Sequence, residues 1–146
     1  MSKRIQIIED DFDVIETLQF VLKSRGYEIE IAFDGRAGVE MIKNKRPDLL
    51  ILDLTMPVMD GWAVMVAVKQ DPDYQSIPIM ILTSSKKAQH IEKARSLGVQ
   101  SYVLKPFEPQ KIVKIVERLL DSESADDQES GLSGVMDGDL LQNNGL

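Results

Sequence analysis

Isoleucines at positions 5, 7 and 8 open the apolar pattern of the chain, and their spacing predicts a short strand. Val14, Leu18, Val21 and Leu22 then recur at helical spacing, and Gly26 stands where a helix end takes a left-handed residue. The alternation Ile29, Ile31, Phe33 predicts a second strand, Asp34-Gly35 a turn, and Ala37 to Lys45 a helix that Pro47 prevents from continuing. Leu49 to Leu52 is uninterrupted apolar sequence, as in a strand covered on both faces. Trp62 to Gln70 predicts the third helix, which leaves Asp53 to Gly61 as a loop. Ile79 to Leu82 supplies a fourth strand, Ala88 to Leu97 a helix stopped by Gly98, Tyr102 to Leu104 a fifth strand, and Pro109 to Leu120 a last helix. Strands alternating with helices across short connections require parallel pairing through right-handed crossovers, with helices covering both faces of the sheet. The fold class is therefore doubly wound α/β, with one core.

Composition narrows this picture. The 146 residues include 17 Lys and Arg, 24 Asp and Glu, one His and no Cys, with 43% hydrophobic and 28% charged positions, as in a folded domain. Without cysteine there is no disulfide framework, thiolate zinc site, iron–sulfur cluster or cysteine nucleophile. The longest apolar run, Trp62 to Val68, falls well short of the roughly 20 residues of a membrane-spanning helix. The N-terminus reaches Glu9, Asp10 and Asp11 too soon for a secretory signal, so a cytoplasmic protein without a membrane partner is expected.

Charge is unevenly placed. Residues 1–120 hold all 17 bases and 17 acids, so the formal net charge of -7 arises in residues 121–146. That segment is rich in Ser, Gly, Asp and Asn and lacks aromatics, a composition unable to offset the entropy of ordering. The expected division is a folded domain at 1–121 and an acidic, disordered tail or linker at 122–146. Its apolar cluster of Leu132, Val135, Met136, Leu140 and Leu141 reads first as plain linker or chain end, and second as a partner motif or the start of a following domain. An acidic tail and a body without a basic stripe argue against direct nucleic-acid binding.

Ligands of open α/β sheets bind beyond the carboxyl ends of the strands, and there the chain places Glu9, Asp10, Asp11, Asp53, Thr83, Ser84 and Lys105. A carboxylate such as Asp53, directly after Leu-Leu-Ile-Leu, sits at the rim of the core, where neighbouring acids are costly unless neutralised. Magnesium suits such oxygen donors, and Lys105 with the Thr83 hydroxyl completes a place for a phosphoryl group. Blander roles fit other residues: Asp11 and Asp13 as cap and first-turn acid of the first helix, His90 as a surface residue, and Trp62, Met56 and Met59 as packing. Tyr102 is the aromatic kept as a functional candidate.

Four segments carry a resemblance: Ile-Ile-Glu-Asp-Asp at 7–11, Leu-Asp-Leu-Thr-Met-Pro-Val-Met-Asp-Gly at 52–61, Ile-Leu-Thr-Ser at 81–84 and Tyr-Val-Leu-Lys-Pro-Phe at 102–107. In order and at family spacing, they resemble the receiver domains of bacterial two-component response regulators, especially the small chemotaxis type. The resemblance covers residues 3 to about 120. It implies a flavodoxin-like, five-stranded parallel sheet in the order 2-1-3-4-5. It further implies that Asp53 accepts a phosphoryl group from a sensor histidine kinase or phosphotransfer protein. Glu9, Asp10, Asp53 and the Thr55 backbone carbonyl would arrange Mg2+, or Mn2+ in its place, with Asp10 direct and Glu9 through water. Thr83, Ser84 and Lys105 would hold the phosphoryl group. Tyr102 would turn inward, remodelling the surface of the fourth helix, fifth strand and fifth helix for an unidentified protein target, with a homodimer left open. Lys105-Pro106 is a cis peptide in relatives, and Thr55 and Ser85 tune the phosphoryl lifetime, neither being the amide or acid of fast dephosphorylators. The implied role is that of a signalling domain, enzymatic only in self-catalysed phosphoryl transfer and autodephosphorylation.

Rival functions meet specific obstacles. A haloacid-dehalogenase-like phosphatase needs a second Asp two residues after the nucleophile, where Thr55 stands. A dinucleotide site needs a Gly-rich turn after the first strand, and Glu-Asp-Asp-Phe-Asp stands there instead. An EF-hand fails for want of Gly at the sixth loop position after Asp11. A pseudo-receiver, an interaction module of the same fold without phosphorylation, would not need the complete set Glu9, Asp10, Asp53, Thr83 and Lys105.

Overall fold

The element order is β1 (Arg4–Ile8), α1 (Phe12–Lys23), β2 (Glu28–Ala32), α2 (Gly35–Asn44), β3 (Leu49–Leu52), α3 (Gly61–Lys69), β4 (Ile79–Thr83), α4 (Ala88–Ser96), β5 (Ser101–Leu104) and α5 (Pro109–Asp121). A computed structural model describes residues 2–121. The expected tail at 122–146, with its apolar cluster, lies outside the described residues.

All five strands pair in parallel, in the order β2-β1-β3-β4-β5. Side chains alternate across this sheet and build two cores, one on each face, where the sequence led to the expectation of one, because the sheet itself separates them. Ile5, Ile7, Leu49, Ile51, Met80, Leu82 and Val103 pack with α1 and α5, whereas Ile8, Leu50, Leu52, Ile79, Ile81, Tyr102 and Leu104 pack with residues of α2, α3 and α4. Burial on both faces is why β3 and β4 read as continuous apolar runs rather than as alternations. Gln6 is fully buried on the α2 face, where its Nε2 donates to the carbonyls of Met41 and Lys45 and so satisfies the end of α2.

Helix ends follow local chemistry. The Asp11 carboxylate accepts from the N–H groups of Asp13 and Val14 at the start of α1, with Asp13 in the first turn, as expected. Two local expectations are corrected. Asp34 and Gly35 do not form a free turn: Asp34 caps α2 through the Ala37 N–H, and Gly35 is already helical. Phe33 does not continue β2: it is half exposed and its ring meets that of Phe12 at 5.6 Å between centroids. Among the described residues, no helix is long and apolar enough to cross a membrane.

Candidate functional site

Strand register assembles the site. Ile8 pairs with Leu52, so the next residues, Glu9 and Asp53, leave adjacent strand ends together. Leu52 pairs with Ile81, Thr83 with Leu104, and the Lys105 N–H donates to the Thr83 carbonyl at 2.8 Å. Residues scattered from position 9 to position 105 thereby meet at one edge of the sheet.

The cluster is acidic and mostly dry. Glu9 and Asp53 are buried and Asp10 is exposed, and one carboxylate oxygen of each lies within 4.8 Å of the others. Lys105 Nζ is 2.9 Å from Glu9 Oε1 and 3.6 Å from Asp53 Oδ2. The second Glu9 oxygen accepts the N–H groups of Asp10 and Asp11 at 3.1 and 3.2 Å. Burial pushes the Glu9 carboxyl up to about 7; the Lys105 hydrogen bond opposes this, and the Asp53 charge adds to it. Burial alone would lower the Lys105 ammonium, but its bond to Glu9 and the charges of Glu9, Asp53 and Asp11 raise it above the ordinary lysine value. One lysine therefore serves two buried carboxylates, with a third carboxylate beside them. Three oxygen donors this close fit a small divalent cation, whose neighbouring ligand oxygens lie about 3 Å apart and opposite ones about 4 Å in octahedral geometry.

The phosphoacceptor candidate is held by its surroundings. The Asp53 N–H donates to the Ile8 carbonyl at 3.1 Å, and the Thr55 N–H lies 3.4 Å from Asp53 Oδ1. Gly61 opens α3 directly against this turn, where a Cβ would collide with the Asp53 carbonyl oxygen and the Leu54 backbone. Between them, Val58 has φ 70° in a tight turn closed by Met59 N–H to Pro57 O.

Thr83 is buried at the end of β4 and Ser84 is exposed beside it. Asp53, Thr55, Thr83, Ser84, Ser85 and Lys105 share the lining of a cavity of about 460 Å³. Tyr102 already lies inward: it is fully buried, and its hydroxyl donates to the Ser85 carbonyl at 2.8 Å. Burial raises its phenol above the ordinary value. The Lys105-Pro106 bond is cis, as the resemblance implied.

The sequence reading missed His90. This residue is half-buried and not a plain surface group: its Nδ1 lies 2.6 Å from Ser85 Oγ, and its ring meets Trp62 edge-on at 5.4 Å. The one legible signal was its position in the first turn of a helix five residues after Ser85. Trp62 packs against the core as expected, and Met56 is buried with Met59 against it.

The response regulator receiver domain family matches residues 5–117 of the chain. Response regulator MprA of Mycobacterium ulcerans is 34% identical over 136 residues, which cover 93% of this chain and 58% of that protein. The chain spans about three-fifths of the length of the curated relatives it matches. Among solved structures, the chemotaxis protein CheY4 of Vibrio cholerae is similar with a TM-score of 0.77 and 28% identity, covering 82% of this chain and all of that one. The Mn(2+)-bound form of response regulator Rcp1 is similar with a TM-score of 0.76 and 28% identity, covering 84% of this chain and 97% of that one.

Proposed function

The chain belongs to the response regulator receiver domain family, and from that premise we propose that Asp53 accepts a phosphoryl group from a phosphohistidine on a sensor kinase or phosphotransfer protein. The observation that carries this is the convergence of Glu9, Asp10, Asp53 and Lys105 at one strand edge, with Lys105 Nζ 2.9 and 3.6 Å from the two buried carboxylates. In the transfer, an Asp53 carboxylate oxygen bonds to phosphorus while the phosphorus–nitrogen bond of the donor breaks and its electron pair returns to the imidazole. Glu9, Asp10, Asp53 and the Thr55 carbonyl would hold Mg2+, or the Mn2+ recorded for Rcp1. When bound, that cation supplies cancellation of charge on the phosphoryl oxygens. Lys105 adds a second fixed positive charge, and the Thr83 hydroxyl and Ser84 offer hydrogen bonds to the same oxygens.

The family is a signalling domain, and self-catalysed transfer and autodephosphorylation are the chemistry proposed for it here. Residues 1–121 form the receiver and 122–146 a linker or tail. Thr83 and Tyr102 pass the signal to the face formed by α4, β5 and α5, which meets a downstream protein or a second copy in the cytoplasm. Thr55 and Ser85 set the lifetime.

Incubation with Mg2+ and acetyl phosphate tests this by intact mass and by footprinting of the α4, β5 and α5 face. The wild type gains one phosphoryl group and its footprint changes, Asp53→Asn gains none, and Lys105→Ala gains the group with a weakened footprint change. An unmodified wild type overturns the proposal.

A further inference from the structure

Ser85 is a junction of hydrogen bonds. Its N–H donates to Thr83 Oγ1 at 3.3 Å, its carbonyl accepts from Tyr102 at 2.8 Å, and its Oγ lies 2.6 Å from His90 Nδ1. The Lys87 N–H also donates to Ser85 Oγ, at 3.3 Å. A serine hydroxyl has one proton and two lone pairs. Lys87 N–H takes one lone pair; with the imidazole in the tautomer protonated on Nε2, Ser85 Oγ donates its proton to Nδ1 and one lone pair remains. Ser85 and His90 line the cavity that also holds Asp53, Thr83 and Lys105. The His90 ring is fixed in turn by Trp62, over which the Lys93 ammonium lies at 4.6 Å.

We infer that His90 is a positioning residue for hydrolysis of the phosphoryl group on Asp53, acting through Ser85. The inference rests on the reading of Asp53 as phosphoacceptor. With its proton committed to the ring, Ser85 Oγ meets a water in the cavity only as an acceptor, which orients that water with its oxygen free to attack. The water oxygen bonds to phosphorus, and the bond from phosphorus to the Asp53 oxygen breaks with its electron pair returning to the carboxylate. The proton shed by the water leaves with the released phosphate. Without the ring the Ser85 hydroxyl rotates and spends time as a donor to the phosphoryl oxygens, which protects the acyl phosphate rather than its hydrolysis.

The test loads the full chain with acetyl phosphate and Mg2+, removes the donor, and follows loss of the phosphoryl group by intact mass. His90→Ala loads as the wild type does but keeps the group about 3- to 10-fold longer, the effect of one hydrogen bond. His90→Asn, whose amide oxygen can accept the same proton, restores the wild-type lifetime. Ser85→Ala lengthens the lifetime similarly, and the double variant His90→Ala/Ser85→Ala holds the group no longer than Ser85→Ala alone. An equal or shorter lifetime in His90→Ala, or additive effects in the double variant, overturns the inference. A wild type that never loads overturns the reading of Asp53 and this inference with it, whereas normal loading with unchanged lifetimes overturns the inference alone.

Discussion

Glu9 shows how one buried carboxylate ties stability to pH. Its carboxyl is held near 7 against an ordinary 4.5, chiefly by burial, so between these values the folded chain binds more protons than the unfolded one. Below about 7 the neutral carboxyl predominates in the folded chain, and above it the carboxylate paired with Lys105. The stabilising contribution of Glu9 is complete below about 4.5 and is lost as pH rises through about 7, on the order of 3 kcal/mol in all. Denaturant unfolding in chelator should therefore show stability falling across that window. Glu9→Gln, which cannot ionise, should flatten the profile; an equally steep decline in that variant would assign the slope to other groups. Asp10 is exposed, and its value to the site lies in position rather than in burial.

At the scale of elements, the site depends on how closely α3 approaches the end of β3. Gly61 begins α3 where any Cβ meets the Asp53 carbonyl oxygen, so Gly61→Ala must shift either the helix or the turn that follows Asp53. A loss of about 1–3 kcal/mol is expected, together with poorer phosphoryl uptake, read by thermal melting and intact mass on the same sample. Normal uptake with full stability would show that the turn can yield. The β4–α4 connection works differently, through polar contacts: Ser85 joins Thr83, Tyr102 and His90, so this short loop links β4 and β5 to α4. α5 is anchored by burial, with Ile112, Val113, Ile115, Val116 and Leu120 beneath it, and Arg25 after α1 pairs with Glu117 at 3.0 Å.

For the whole molecule, the folded state alone brings three acids from two distant segments together, so a cation that they bind must stabilise the fold. Magnesium at about 100 times its dissociation constant is expected to add about 2.7 kcal/mol and raise the melting temperature. Asp10→Asn should reduce that rise, and a wild-type melting curve indifferent to Mg2+ would count against a cation at this edge. Much of this molecule was legible from its residues: runs such as Leu49 to Leu52 and the pattern of α1 report which faces are covered, and an aspartate before a helix caps it by local hydrogen bonding. Family motifs supplied the strand order that periodicity alone left open. Phe33 continued an alternation yet points to Phe12, and His90 offered no periodic sign of its bond to Ser85, because both depend on neighbours distant in space or across a loop. The amino-acid sequence by itself determined the type and order of the elements and the polar residues at their ends, since these follow from solvent exposure and short-range backbone chemistry. Only the tertiary structure decided that Ile8 lies level with Leu52, that Lys105 reaches both Glu9 and Asp53, and that Ser85 gathers three partners. Lateral register and side-chain contact arise when separate segments pack, and no local pattern encodes that packing.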